Sequence, residues 1–168
     1  MQDKTLSATR NRYGDWELTL RLACPKFDTF GTRIIAPCEV LTMVYEESAD
    51  GISSAQAAAV ERLRGNLPGL LKSVTKAARD QTLASTNRWL SEYSAFELVA
   101  IHISPVHADG LACVGWEFAS IGNADRGTGV LTHGDRVLAV GAADLCVLSW
   151  QAVAALAGAS KRPALRLA

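Results

Sequence analysis

Aromatic residues are scarce in this 168-residue chain, at 7%, and seventeen basic side chains cancel seventeen acidic ones. A balanced charge provides no global field to recruit nucleic acid or an anionic membrane. No basic stripe interleaved with aromatics occurs, so the pattern of a nucleic-acid-binding module is missing. No window approaches the roughly 20 apolar residues that a membrane helix needs. The start, MQDKTLSATRNRYGDWEL, is polar and lacks the apolar centre of a secretory signal, which predicts a cytoplasmic protein. Cys24, Cys38, Cys113 and Cys146 lie far apart with no C-x-x-C pair. They read as buried free thiols, not as a disulfide framework.

Catalytic and cofactor patterns are missing too. The stretch GTGVLTHGDRVLAVGAAD, Gly127 to Asp144, has neither the Lys nor the Ser/Thr of a phosphate loop after Gly134. A dinucleotide fingerprint sets its glycines between a strand and a helix. Here they lie between two strands and read as turn and bulge positions. His102, His107 and His133 form no H-x-x-x-H pair or Cys/His cluster, so no metal is expected. No G-x-S-x-G elbow occurs, and Cys146 sits in an apolar run near the start of the last predicted helix. Glu46 and Glu47 are adjacent, so on a strand they face opposite ways and make no catalytic pair. No catalytic residue and no cofactor follow from these patterns.

What the chain does have is a core. Hydrophobic residues make up 49% and charged residues 20%, ordinary values for a globular protein. Its length fits one domain over residues 1–168, with 1–12 and 159–168 as flexible tails. DWELTLRLAC alternates with Trp16, Leu18, Leu20 and Leu22 on one face, the period of a half-buried strand. TRIIAPCEVLTMVYEE is a second strand, which Pro37 either divides or marks as an edge. Ser53 and Gln56 form a capping box that opens a helix through Val60 and Leu63, ended by Gly65. Pro68 opens a second helix, with Leu67, Leu70, Leu71, Val74 and Ala78 on one face.

Asn87 to Phe96 reads as a short helix or helical turn, and ELVAIHISPV as a strand ended by Pro105. LACVGWEFAS returns with Val114, Trp116 and Phe118 on one face. Gly134-Asp135 joins two further strands in a hairpin with glycine first. AADLCVLSWQAVAALAG reads as a closing helix stopped at Gly158. The order predicts an α+β fold: a mainly antiparallel sheet with a central helix pair and a C-terminal helix.

The stretch VGWEFASIGNADRGTGVLTHGDRVLAVGAAD resembles the C-terminal signature of a family of small bacterial domains, which runs roughly W-D-x-E-H-G-x-G-V and then a hairpin ending in V-G and an acid. The matching residues include Asp125, Gly127, Gly129, Val130, Gly141 and Asp144. SSAQAAAVERLRGNLPGLLKSVTKAA is similar to that family's Q-led helix pair, and FDTFGTRIIAP to its early strands. Gly122-Asn123 replaces the Trp-Asp pair, and Asp125-Arg126 the Glu-His pair. The resemblance implies an immunity protein of a bacterial polymorphic-toxin system, one that binds and occludes a cognate toxin domain in the cytoplasm.

Charge placement gives that expectation a location. Between residues 28 and 50 lie Asp28, Glu39, Glu46, Glu47 and Asp50 against Arg33 alone, whereas Lys161, Arg162 and Arg166 crowd the end. The five acids would face a basic cleft, such as a nuclease toxin's, although an acidic segment is also an ordinary solvated face. The loop with Asn123, Asp125 and Arg126 is the second contact candidate. An alternative is a ligand- or metal-binding cleft, or an enzyme, built near His102, Glu117 and His133. A third is a homo-oligomeric structural protein.

Overall fold

Seven strands pair in chain order in the computed structural model, which describes residues 8–13, 15–27, 33–45, 51–85, 96–120, 127–148, 152–154 and 156–157. They are β1 (Ala8–Arg10), β2 (Trp16–Phe27), β3 (Arg33–Val44), β4 (Phe96–Ala108), β5 (Leu111–Ser120), β6 (Thr128–His133) and β7 (Arg136–Gly141). Every neighbouring pair is antiparallel except β3 and β4, which are parallel. A parallel pair needs a long crossover, and α1 (Ser54–Ser85) supplies it. The result is an α+β architecture with a mostly antiparallel sheet. β1 lies within residues 1–12 and pairs Arg10 with Trp16.

The turns follow their residues. Gly134, at φ +59°, opens the β6–β7 turn, with His133 paired to Arg136. Asp109 and Gly110 both have positive φ, +49° and +74°, as a mirror-image hairpin turn requires. Pro37 does not divide β3, which runs unbroken with Pro37 opposite Ala23. Pairing with β4 covers Leu41 to Val44, so among the described residues Pro37 sits where β3 has one partner strand. That is where a residue without an N–H is tolerated. Pro105 does not end β4 either. The strand continues to Ala108 across a register shift between Ile103 and His107, which absorbs the missing donor.

One face of the sheet packs on α1. Leu18, Val40, Val44, Ile101, Ile103, Trp116, Phe118 and Val130 meet Val60, Leu63, Leu67, Leu70, Leu71, Val74 and Ala78 in one cluster. α1 is kinked directly after Gly65: Asn66 has non-helical backbone angles (φ −137°, ψ 30°), two residues before Pro68. The opposite face packs Cys113 and Leu131 against Leu145 and Ala152. There the chain after β7 begins with a 3₁₀ helix, Ala143–Cys146, instead of an α-helix, and residues 152–154 and 156–157 are helical. Ala142 is extended and supplies no side-chain cap, so nothing local starts an α-helix at that point. The expected helix at 87–95 lies outside the described residues, and Phe96 opens β4.

Thr42 marks a weak point in the core. It is fully buried between Leu18 and Ile101 in register, and its hydroxyl has no partner among the described residues. Thr42→Val removes that unpaired group, and we expect it to stabilise the protein by about 1 kcal/mol. A higher urea midpoint with an unchanged slope is the expected result.

Candidate functional site

Of the eight contact residues proposed from sequence, Glu39 alone lies in a described strand, opposite Arg21 in the β2–β3 register. Asp28, Glu46, Glu47, Asp50, Asn123, Asp125 and Arg126 lie outside the described residues. The chain on either side of 46–50 is firmly held. Tyr45 N–H donates to Ile103 O at 3.1 Å, and Gln56 Nε2 donates to Tyr45 O at 2.6 Å and to Ser104 O at 3.4 Å. The capping box forms as expected, with Ser53 N–H to Gln56 Oε1 at 3.0 Å and Gln56 N–H to Ser53 Oγ at 3.3 Å. Gln56 is 1% exposed, so this one side chain ties the helix start to the ends of β3 and β4.

The three histidine-cleft residues do not come together. His133 Nε2–H donates to Ala108 O and Leu111 O, at 2.9 and 3.1 Å, and braces the Asp109–Gly110 turn. His102 and Glu117 do meet, with Nε2 2.9 Å from Oε2. The other ring nitrogen, Nδ1, lies 2.7 Å from the Tyr45 hydroxyl, with the two rings 8° from coplanar. A carboxylate only accepts, so Nε2 carries its proton, and the Nδ1 of a neutral imidazole accepts from the phenol. The chain Tyr45–His102–Glu117 thus fastens β3 to β5 through β4. Tyr45 was not singled out from sequence, because 57 residues separate it from His102.

Cys146 completes this neighbourhood from above the sheet. A Cβ on Gly115 would lie 2.7 Å from Cys146 Cα, Cβ and O. One on Gly129 would lie 2.5 Å from Ala142 O and 2.9 Å from Cys146 Sγ. The two bare glycines therefore form the seat of the 3₁₀ helix. Burial pushes the Cys146 thiol up to about 12, helped by the negative charge of Glu117 and opposed by the backbone N–H groups of Val130 and Trp116. Burial likewise lifts Cys113 to about 11. Tyr45 rises to about 12, through burial first and then the charges of Asp15 and Glu117. A thiol that holds its proton this firmly is not a nucleophile at neutral pH. The cluster is a brace between strands.

These shifts set an alkaline limit on stability. Unfolded thiols ionise near the ordinary 9, whereas the folded ones hold their protons to about 11 and 12. The folded state therefore binds more protons above pH 9, so the stabilisation is complete below that pH and is lost as pH rises towards 12. We expect urea midpoints to be level from pH 7 to 9 and to fall beyond it, less steeply in Cys146→Ala. Site-mapped alkylation at pH 8 should leave Cys113 and Cys146 unmodified until the protein unfolds.

A shallow hollow, partly open to solvent, lies on the α1 side between the helix and the ends of the two hairpins. Ala59, Leu63, Leu70, Val114 and Trp116 line it, and Arg62 pairs with Asp135 at the surface. Its polar groups are already matched: Trp116 Nε1–H donates to Thr132 Oγ1, and Thr132 Oγ1–H to Val114 O. Among the described residues, no three His, Cys, Asp or Glu side chains converge to hold a metal ion, and no helix is long and apolar enough to cross a membrane. The chain matches no protein family, no curated protein and no solved structure.

Proposed function

We propose that this protein is an immunity protein that binds a cognate toxin domain, possessing a basic active-site cleft, and blocks it. The observation that carries this reading is the role of the signature residues. Gly129 makes room for Ala142 O and Cys146 Sγ, and Gly127, at φ +45°, packs against Ala143 and Phe118 O. Gly127 and Gly129, shared with the small bacterial domains, thus serve the architecture. In this reading the signature builds the fold and the function lies at the surface. We read the two arms of α1 on either side of Asn66, and the helical residues after Cys146, as that family's helix pair and closing helix.

The contact surface in this reading comprises Asp28, Glu39, Glu46, Glu47 and Asp50, with Asn123, Asp125 and Arg126 as a second contact. The braces at Tyr45 and Gln56 support it, because they pin the chain beside the acids and reduce the order lost on binding. The test is expression of the C-terminal domain of the protein encoded immediately upstream, in cells with and without this chain. Killing by that domain alone, with rescue through direct binding, is the expected result; killing regardless of this chain overturns the reading. Replacing Glu46, Glu47 and Asp50 with their amides should slow association by about tenfold at low salt and by much less at high salt.

A further inference from the structure

Two of the three tyrosines lie among the described residues, in opposite settings. Tyr13 is 73% exposed, and its hydroxyl has no hydrogen-bond partner among the described residues. The Arg12 guanidinium lies 4.7 Å from its ring centre. Tyr45 is half-buried, and its hydroxyl donates to His102 Nδ1 at 2.7 Å, with the two ring centres 5.8 Å apart. His102 is 6% exposed, and its Nε2–H donates to Glu117 Oε2 at 2.9 Å. A brace between strands needs hydrogen bonds of either polarity. Here the polarity is fixed: a phenol donates to a base whose other nitrogen is held by a carboxylate.

Loss of one electron makes a phenol proton strongly acidic, so at neutral pH the electron leaves readily only where a base takes the proton. Such a base must lie within hydrogen-bond reach of that proton, and a histidine held in one tautomer meets the need. On gaining the proton His102 becomes a cation, which Glu117 stabilises at contact distance in a buried setting. The negative charges of Asp15 and Glu117 also act on Tyr45, where they oppose a phenolate but favour removal of an electron. At Tyr13 the field is reversed, because a guanidinium over the ring opposes the departure of an electron and no base waits for the proton. Trp116 is no competitor either: its Nε1–H faces Thr132 Oγ1, a hydroxyl too weakly basic to take it.

We propose that Tyr45 is a redox-active tyrosine, the site at which an outer-sphere one-electron oxidant acts on this protein. The oxidant accepts one electron from the Tyr45 ring and is itself reduced by one electron. The Tyr45 O–H bond breaks and an Nδ1–H bond forms on His102. A neutral tyrosyl radical then lies beside an imidazolium paired with Glu117. Return of an electron to the ring and of the proton to the oxygen restores the starting state. Burial of His102 keeps the proton next to the oxygen that released it, so the cycle is reversible. This assignment does not depend on the immunity reading, since it rests on contacts inside the fold.

The test is flash photo-oxidation of the whole chain by tris(bipyridine)ruthenium, raised to its trivalent state with a sacrificial cobalt(III) acceptor. Tyrosyl absorbance gives the rate, and electron paramagnetic resonance of frozen samples identifies the radical. The signal is expected to disappear in Tyr45→Phe and to persist in Tyr13→Phe and Tyr93→Phe. His102→Gln keeps an acceptor for the hydroxyl but not a base, and should slow oxidation of Tyr45 by about tenfold or more. Glu117→Gln keeps an acceptor for Nε2–H but removes the charge, and a fall of about two- to fivefold is expected. Coupled proton transfer also predicts slower oxidation in deuterium oxide, a measurement on the unaltered protein that no folding defect can imitate. Three outcomes overturn the proposal: a tyrosyl signal unchanged in Tyr45→Phe, a rate indifferent to His102→Gln, or equal rates in the two solvents.

Discussion

Gly115→Ala is expected to destabilise the protein by about 3 kcal/mol, which at this chain length is a fall in Tm of about 6–12 °C. The new methyl group would lie 2.7 Å from three atoms of Cys146, two of them backbone. A flexible side-chain tip would yield, but backbone seated against a sheet does not. Either the 3₁₀ helix lifts and exposes Leu145 and Cys146, or β5 bends away from β6. A control separates this contact from the general effect of losing a glycine. Gly65 is in the helical path of α1, and a Cβ there meets nothing within 4 Å. Gly65→Ala should therefore stabilise by about 0.5–1 kcal/mol, so the same substitution has opposite signs at the two sites. Equal effects in thermal unfolding would show that the 3₁₀ helix is not seated on Gly115.

Gln56→Leu is the second large effect, again about 3 kcal/mol. The leucine fits the buried space approximately but leaves Ser53 N–H without its acceptor and Tyr45 O without its short donor. Unpaired groups in a buried setting cost more than the bonds contributed net, because water no longer compensates. Gln56→Glu sharpens the prediction. An ionised carboxylate keeps the acceptor for Ser53 but points negative charge at the carbonyls of Tyr45 and Ser104. Its folded pKa must rise above the ordinary value of about 4.3, so its stability is best below that pH and declines as pH rises. Chemical denaturation at pH 4 and pH 8 should show Gln56→Glu closer to the parent protein at the lower pH. If the immunity reading holds, both variants should also weaken toxin binding, since Gln56 pins the chain on both sides of residues 46–50.

The histidine cleft shows where reading the sequence stopped. His102 and Glu117 are fifteen residues apart, on adjacent antiparallel strands, and whether they share a face depends on register alone. A register shift between Leu98 and Ala100 decides it: Leu98 opposes Phe118, yet Ala100 opposes Glu117. Without that bulge at Val99, His102 and Glu117 would point to opposite faces. Val99 is 48% exposed and carries no turn residue, so no local signal announces it. His133, by contrast, is drawn away by two turn carbonyls that only the folded hairpin brings within reach.

What the sequence determined by itself is what depends on neighbours along the chain. The period-two alternation of Trp16 and Leu18 and of Val114 to Phe118, the apolar face of α1, the Ser53–Gln56 box and the glycine-led turn at Gly134 need only a few adjacent residues. The tertiary structure alone decided what depends on residues far apart. Pro37 and Pro105 lie within strands because of which neighbours those strands have. The chain after β7 opens in a tight turn because Gly115 and Gly129 leave the sheet bare beneath it. Tyr45, His102, Glu117 and Cys146 meet because a parallel crossover, a bulge and a seated turn converge on one face. Local patterns reflect short-range sterics and the solvent preference of single side chains, whereas register and seating reflect packing between surfaces that exist only once the chain has folded.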